Sequence, residues 1–182
     1  MTTIQTPRLT LISADLGLLD AELAGHMILA KVLGAQIPTD WPPGEYDSDA
    51  VGWVIAQLAV ATESQKDWHA WYVLLNSKPG TLPILISAAG YFGPPNELGM
   101  VEIGYSVCQE YRNRGFATEI SKALRDRAFG CPEVQYVQAR TTADNAASLK
   151  VLRKSGFEAA ESAEPEYVRY VCTREPFSPP CA

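Results

Sequence analysis

The stretch MVEIGYSVCQEYRNRGFATE, residues 100–119, holds a carboxylate, two arginines and a glycine at spacings suited to proton transfer and anion binding. Its first part alternates as a strand does, with Val101, Ile103, Tyr105 and Val107 on one side and Glu102, Gly104 and Ser106 on the other. A carboxylate beside two small side chains leaves open space above that face, which suits a general base. The same pattern also describes a solvent-facing Glu on a half-exposed strand. The second part, Arg112-Asn113-Arg114-Gly115-Phe116-Ala117-Thr118, reads as a turn from a strand into a helix. Unpaired N–H groups point outward at a helix start and carry partial positive charge. Gly115 and Ala117 let an anion approach that backbone, and Arg112 and Arg114 add charge, so the turn reads as a phosphate cradle. It is not a P-loop, because no Lys-Ser or Lys-Thr follows the glycine, and no G-x-G-x-x-G fingerprint is present. A basic helix start with an ordinary glycine is the plainer alternative.

A second pair of polar residues, Asn145 and Ser148, is three apart and shares one face near a helix start. Both side chains are short and able to bond a ligand amide or thiol, while Leu149 and Leu152 face a core. The plainer alternative makes Asn145 or Asp144 the helix cap and Ser148 a surface residue. Glu166, in Glu164-Pro165-Glu166-Tyr167, is a further carboxylate, and Cys108 reads as packing.

The elements that must position these residues follow from periodicity and turn signals. A first strand covers 10–13. Leu18, Leu19, Leu23, Met27, Ala30 and Leu33 recur at helical spacing and predict a helix over 15–33. The loop over 38–49 carries Trp41 and Tyr46, which either line a pocket or pack. Asp49 caps a second helix reaching about residue 62. Strands over 68–75, 82–92 and 100–107 form a meander, with turns at 76–80 and 93–99. A helix over 116–129, a strand over 134–140, a helix over 143–154 stopped by Gly156, and a hairpin ending at 167–172 complete the order. The fold class is α+β, or mixed α/β: an antiparallel meander feeds a strand–helix–strand unit in one domain over 1–182. Strands 100–107 and 134–140 are expected side by side and parallel. The Pro-rich tail, 176–182, reads as flexible.

Composition excludes several classes. Lys and Arg number 15 and Asp and Glu 21, so the net charge is −6, which opposes nucleic-acid or anionic-membrane binding and mildly favours a cationic substrate. No apolar run approaches the roughly 18 residues of a membrane span, and residues 1–12 lack a signal-peptide pattern. Cys108, Cys131, Cys172 and Cys181 form no C-x-x-C pair and, with His26 and His69, no metal spacing, so no metal site is expected. Reduced thiols place the protein in the cytoplasm.

Arg112-x-x-Gly115-x-Ala117 matches the Q/R-x-x-G-x-G/A pattern of the GNAT acetyltransferases, and the chain resembles that superfamily. The runs EIGYSV and GFATE, then Asn145-Ala146-Ala147-Ser148, Leu152 and Lys154-Ser155-Gly156-Phe157, resemble the branch of ribosomal-protein N-terminal acetyltransferases. So does Thr6-Pro7-Arg8-Leu9. The resemblance is specific over 101–157 and vague over 15–98. It implies a twisted mixed sheet with a splayed central strand pair, flanked by helices. It implies acetyl-CoA as cosubstrate, bound through Tyr105, Ser106 and Val107, the turn Arg112, Asn113, Arg114, Gly115, Phe116, Ala117 and Thr118, and Asn145 and Ser148. It implies direct attack of an amine on the thioester, with Glu102 or Glu166 as base, a backbone N–H near Ser106 or Val107 for the oxyanion, and Ser148 protonating the leaving thiolate. It implies a peptide or protein N-terminus as acceptor, with a small amine of aminoglycoside or polyamine type as the alternative. The protein is a monomer or homodimer. A CoA-binding regulatory module without transfer activity is the competing class.

Overall fold

In the computed structural model, residues 2–44 and 46–174 are described. They form β1 (Thr3–Gln5), β2 (Leu9–Ser13), α1 (Leu16–Leu23), α2 (His26–Leu33), α3 (Ser48–Val60), β3 (Ala70–Leu75), β4 (Ile84–Tyr91), β5 (Met100–Val107), α4 (Phe116–Gly130), β6 (Tyr136–Thr142), α5 (Ala146–Lys154), β7 (Glu158–Ala160) and β8 (Tyr167–Thr173). The strands make one mixed sheet in the order β1-β2-β3-β4-β5-β6-β8-β7. Neighbours are antiparallel except β5 and β6, which are parallel and joined through α4. A parallel pair cannot be closed by a hairpin and needs such a crossover.

The expected helix over 15–33 is two helices. Gly25, at φ 118, lies outside helical space and separates α1 from α2, and Gly34, at φ 64, ends α2. Leu23 and Met27 carry the apolar spacing across the break although both are exposed, so periodicity alone did not register it. Asp15 caps α1 by accepting from the Leu18 N–H at 2.9 Å. Asp47, not Asp49, caps α3, accepting from the Asp49 and Ala50 N–H groups at 3.0 Å each. The short edge strand β1 is an addition to the sequence reading, and the tail over 176–182 lies outside the described residues.

Two layers of helices cover the sheet. On one face Leu18, Leu19, Leu29, Trp41, Val51, Val54 and Leu58 pack against Tyr72, Leu74, Leu85 and Ala88. On the other face Phe116, Ile120, Leu124 and Leu152 pack against Leu11, Trp71, Val73, Ile86, Val101, Ile103 and Val137. Tyr72, Ala88 and Ser106 stand opposite one another in register across β3, β4 and β5. Ser106, and with it Gly104 and Glu102, therefore looks toward the α1–α3 layer, while Val101, Ile103 and Val107 look toward α4 and α5. The alternation read along 101–107 holds.

The β5 ladder is asymmetric. Its pairing with β4 runs from Ile103 to Val107. Its pairing with β6 joins only Met100 to Tyr136, Val101 to Val137 and Glu102 to Gln138. Beyond Glu102 the two strands splay, and one edge of β5 faces the gap.

Gly90 holds the register that delivers β5 to this position. It pairs with Ala70 and Gly104, has φ 149, and leaves no room for a side chain, since a Cβ would stand 2.1 Å from the His69 carbonyl oxygen. Gly90→Ala is expected to destabilise the fold by about 2–4 kcal/mol, overpacking adding to an unfavourable φ. A lowered urea midpoint with an unchanged m-value checks this.

Candidate active site

Glu102 is the last β5 residue paired with β6, so its side chain stands at the apex of the fork. Its Oε2 accepts from Gln138 Nε2 at 2.7 Å, and its Oε1 accepts from Arg140 Nε at 2.9 Å. Arg140 Nη1 also donates to Glu164 Oε1 at 2.6 Å. The hydrogen bond to Glu102 is the main reason that the Arg140 guanidinium is raised further above its ordinary value, Glu102 and Glu164 adding charge. It stays a cation between two carboxylates. Gln138, Arg140 and Glu164 were not singled out from the sequence; seeing them requires the β5–β6 register. Glu166 is exposed on the turn before β8, two residues beyond the carboxylate that joins the network.

The open space expected above Gly104 and Ser106 is filled. A Cβ on Gly104 would lie 3.0 Å from Phe92 Cε2. Ser106 Oγ donates to the Pro43 carbonyl at 2.8 Å, and a Cβ on Gly44 would stand 2.7 Å from that Oγ. Small side chains on β5 thus admit other parts of this chain. The segment carrying Pro43 is pinned from both sides. Glu22 accepts from Trp41 Nε1 at 2.6 Å, from Tyr46 OH at 3.0 Å and from Tyr72 OH. Trp41 meets Tyr46 and Tyr72 edge-on, with centroids 5.9 and 5.8 Å apart. Asp40 Oδ2 accepts from the Gln109 N–H at 2.6 Å. Trp41 and Tyr46 therefore pack rather than stand free in a pocket.

On the other face Tyr105 OH lies 3.3 Å from Ser148 Oγ, a contact that spans from β5 to α5. Burial raises the Tyr105 phenol above its ordinary value and the Ser148 bond draws it partway back, so it is a proton donor at neutral pH. Asn145 takes the capping role: its Oδ1 accepts from the Ser148 N–H at 3.0 Å. Cys108 is fully buried, and burial, with Asp40 beside it, pushes its thiol up to about 12, which fits packing and not nucleophilic duty.

The turn after β5 has the form of an anion cradle. Asn113 and Gly115 both have positive φ, 61 and 81. Gly115 is the N-cap of α4 and offers no side-chain bond to the first-turn N–H groups. Phe116 is buried in the core and Ala117 packs against it, so these residues face the cradle with backbone. Arg112 bends back, its Nε donating to the Val107 carbonyl at 2.9 Å, while Arg114 lies over the Tyr111 ring at 5.5 Å. Thr118 follows in the first turn, its carbonyl accepting from Ser155 Oγ at 3.5 Å.

A clamp from the N-terminal segment holds this turn. Arg8 Nη1 donates to the Arg114 carbonyl at 3.0 Å, and its guanidinium lies 4.4 Å from the Phe116 ring centroid. Arg8 Nε donates to Glu119 Oε2 at 2.7 Å, and Thr6 Oγ1 donates to Glu119 Oε1 at 2.6 Å. Thr6 and Arg8 were noticed in the sequence only as part of a resemblance; their contact with a residue over a hundred positions away had no local signal.

The fold is a mixed sheet whose central parallel pair splays beside an uncapped helix start. The chain matches the acetyltransferase (GNAT) domain over residues 11–158, and it belongs to that family. It is 28% identical over 157 residues to the uncharacterized N-acetyltransferase YjdG of Bacillus subtilis (strain 168), covering 86% of this chain and 90% of that protein. Among solved structures, the ribosomal-protein α-N-acetyltransferase RimL in complex with coenzyme A superposes with a TM-score of 0.67 at 16% identity, covering 94% of this chain and 98% of that one. An acetyltransferase from Agrobacterium tumefaciens gives 0.63 at 21% identity over 96% and 95% of the two chains. Among the described residues no helix is long and apolar enough to cross a membrane, and no three His, Cys, Asp or Glu side chains are grouped to hold a metal ion.

The clamp makes the cradle sensitive to acid. Burial alone would raise the Glu119 carboxyl, but the bonds from Thr6 and Arg8 outweigh it and hold the group below the ordinary carboxylate value. A depressed carboxyl contributes stability above its unfolded value, about 4.3, that is lost as pH falls through the folded value. Glu119→Gln is expected to lower Tm at neutral pH, with the gap to wild type closing below about pH 4. Melting curves of both proteins across pH check the sign.

Proposed function

We propose that the chain transfers an acetyl group from acetyl-CoA to a primary amine, with a peptide or protein N-terminus as acceptor. The observation that carries this reading is the placement of an N-terminal turn of α4 without a side-chain cap beside the fork between β5 and β6. The backbone of 113–118, with Arg114, would hold the pyrophosphate, and the positive φ of Gly115 keeps side chains out of the approach. The edge of β5 from Tyr105 to Val107 and the Asn145–Ser148 turn would flank the thioester arm. Acetyl-CoA supplies an activated acetyl group. RimL, a ribosomal-protein α-N-acetyltransferase of similar fold, supports the choice of acceptor. Cys108 and Cys131 carry no disulfide, which supports a cytoplasmic setting.

In the transfer the ammonium gives up one proton, the amine nitrogen bonds to the acetyl carbon, the C–S bond breaks, the nitrogen loses a second proton to become the amide, and the sulfur takes one, so that one proton is released overall. Glu102 receives the amine proton through a water. Each of its oxygens accepts one protein hydrogen bond and keeps room for another. The free edge of β5 directs N–H groups at the negative charge that develops on the carbonyl oxygen. Tyr105 and Ser148 protonate the departing sulfur. Glu102 serves as base in preference to Glu166 because it stands at the fork.

Gly115→Val tests the cradle. A Cβ there meets only Arg8 Nη2, at 3.5 Å, but φ 81 strains a β-branched residue, so the variant is expected to be less stable, and at a temperature where circular dichroism shows it folded it is expected to lose acetyl-CoA binding in calorimetry. Unchanged affinity in the folded variant would remove the cosubstrate assignment.

The two proton transfers differ in difficulty. An α-amine, with a pKa of about 8, is mostly protonated at neutral pH, and general-base help is worth about 10²–10⁴ in rate. A thiolate near 8.5 leaves almost unaided. Glu102→Gln is expected to lower kcat/KM far more than Ser148→Ala, with a deficit that shrinks as pH rises and more acceptor arrives deprotonated. Parallel pH–rate profiles measure this; wild-type rates for Glu102→Gln at neutral pH would make Glu166 the base to test.

A further inference from the structure

Two aromatic rings stand uncovered beside Glu102. Phe92 follows β4, and its N–H donates to the Glu102 carbonyl at 3.0 Å, so the two residues are cross-strand neighbours whose side chains share the α1–α3 face. The Phe92 ring leans over Gly104, the one position on this part of β5 with no side chain. Trp53, from α3, lies against it with ring centroids 6.0 Å apart and planes inclined by 52°. Trp53 is 42% exposed and Phe92 58% exposed. α3 is seated by Val51, Val54 and Leu58, so its packing does not depend on Trp53.

The surroundings specify what would cover these rings. Glu102 and Glu164 share the Arg140 guanidinium, Arg169 stands opposite Arg140 on β8, and each Glu102 oxygen keeps room for a further donor such as an ammonium. The faces of the rings are themselves electronegative and attract cations. A polyamine would satisfy the charge and leave the rings wet. An ammonium with a bulky apolar group on the adjacent carbon satisfies both.

We propose that Trp53 and Phe92 form the wall that receives an apolar or aromatic side chain next to the acceptor amine, so that the enzyme selects α-amines with a large apolar first residue. The inference rests on the amine-acetylating reading of the site and narrows it. The Phe92 ring fills the void over Gly104 and sets the depth of the wall, while Trp53 supplies its outer half. Covering an apolar side chain against this wall favours it over hydrogen by roughly 10- to 100-fold.

The test uses the full chain with acetyl-CoA and four probes: phenylalaninamide, leucinamide, serinamide and glycinamide, with thiol release as the readout. The first two are expected to exceed glycinamide in kcat/KM by about 10-fold or more, mainly through KM. Trp53→Ala and Phe92→Leu should each bring that ratio toward 1, with acetyl-CoA affinity by calorimetry unchanged. Trp53 is half exposed, so its variant is expected to fold, and Phe92→Leu keeps an apolar group over Gly104. Similar kcat/KM for all four amides, or a preference that survives both substitutions, overturns the wall alone. Transfer to none of them while acetyl-CoA still binds overturns the α-amine reading and the wall with it. A wild-type dimer that Trp53→Ala dissociates in sedimentation would assign the rings to a second copy and also overturn the proposal.

Discussion

The site depends on a ladder that stops. β5 and β6 pair over three residues and then part at Glu102 and Gln138, although both strands continue for several residues more. A parallel pair in the middle of a sheet is ordinarily buried on both faces and fully bonded. Ending it early leaves an unbonded backbone edge, which costs stability unless something else bonds or solvates it. Two side-chain contacts bracket the opening instead. Gln138 to Glu102 ties the apex on one face, and Tyr105 to Ser148 crosses to α5 on the other. The crossover that a parallel pair demands supplies α4, whose first turn has no side-chain cap. One topological choice thus places a gap and a turn of backbone N–H groups together.

Charge is distributed to match. Arg8 and Arg114 stand around the backbone N–H groups of the α4 turn, and Glu119 is tied down there by Arg8 and Thr6. On the opposite face of the fork two carboxylates, Glu102 and Glu164, hold Arg140 between them, with Arg169 across from it on β8. Exposed ion pairs contribute at most about 1 kcal/mol each, so stability does not explain the arrangement. Position does: Arg140 fixes where the Glu102 carboxylate points, and the segment at Pro43, pinned through Glu22, fixes the wall above Ser106.

Legibility in the sequence followed the range of the interactions. The β5 alternation, the turn around Gly115 and the expected parallel neighbour of β5 are all set by residues close in the chain, and they were readable. The break at Gly25 was not, since Leu23 and Met27 keep the period across it while standing exposed. The expectation of open space over Gly104 and Ser106 failed for a different reason. Small side chains specify only that something approaches closely, and here Phe92 and Pro43–Gly44 do so. Arg140, Glu164 and the Arg8–Glu119 clamp depend on register and on contacts between distant segments, which no local pattern encodes. For Asn145 the capping alternative describes the Oδ1 atom, while the turn it caps still presents Ser148 to Tyr105.

The two faces of the sheet also constrain the chemistry proposed here. Glu102 looks toward the α1–α3 layer, whereas Tyr105 and Ser148 meet on the α4–α5 side. A nucleophile adds to a carbonyl from above or below its plane. With the reacting carbonyl in the gap, an amine beside Glu102 therefore approaches from the face opposite the Tyr105–Ser148 pair. The proton lost by the amine and the proton gained by the sulfur then belong to different groups separated by the sheet. A single shuttling side chain would have to cross the gap during the reaction. Two fixed groups avoid that motion, and each can be tuned alone: a carboxylate among charged partners to accept a proton, and a buried phenol, raised by desolvation, to keep one until the sulfur needs it.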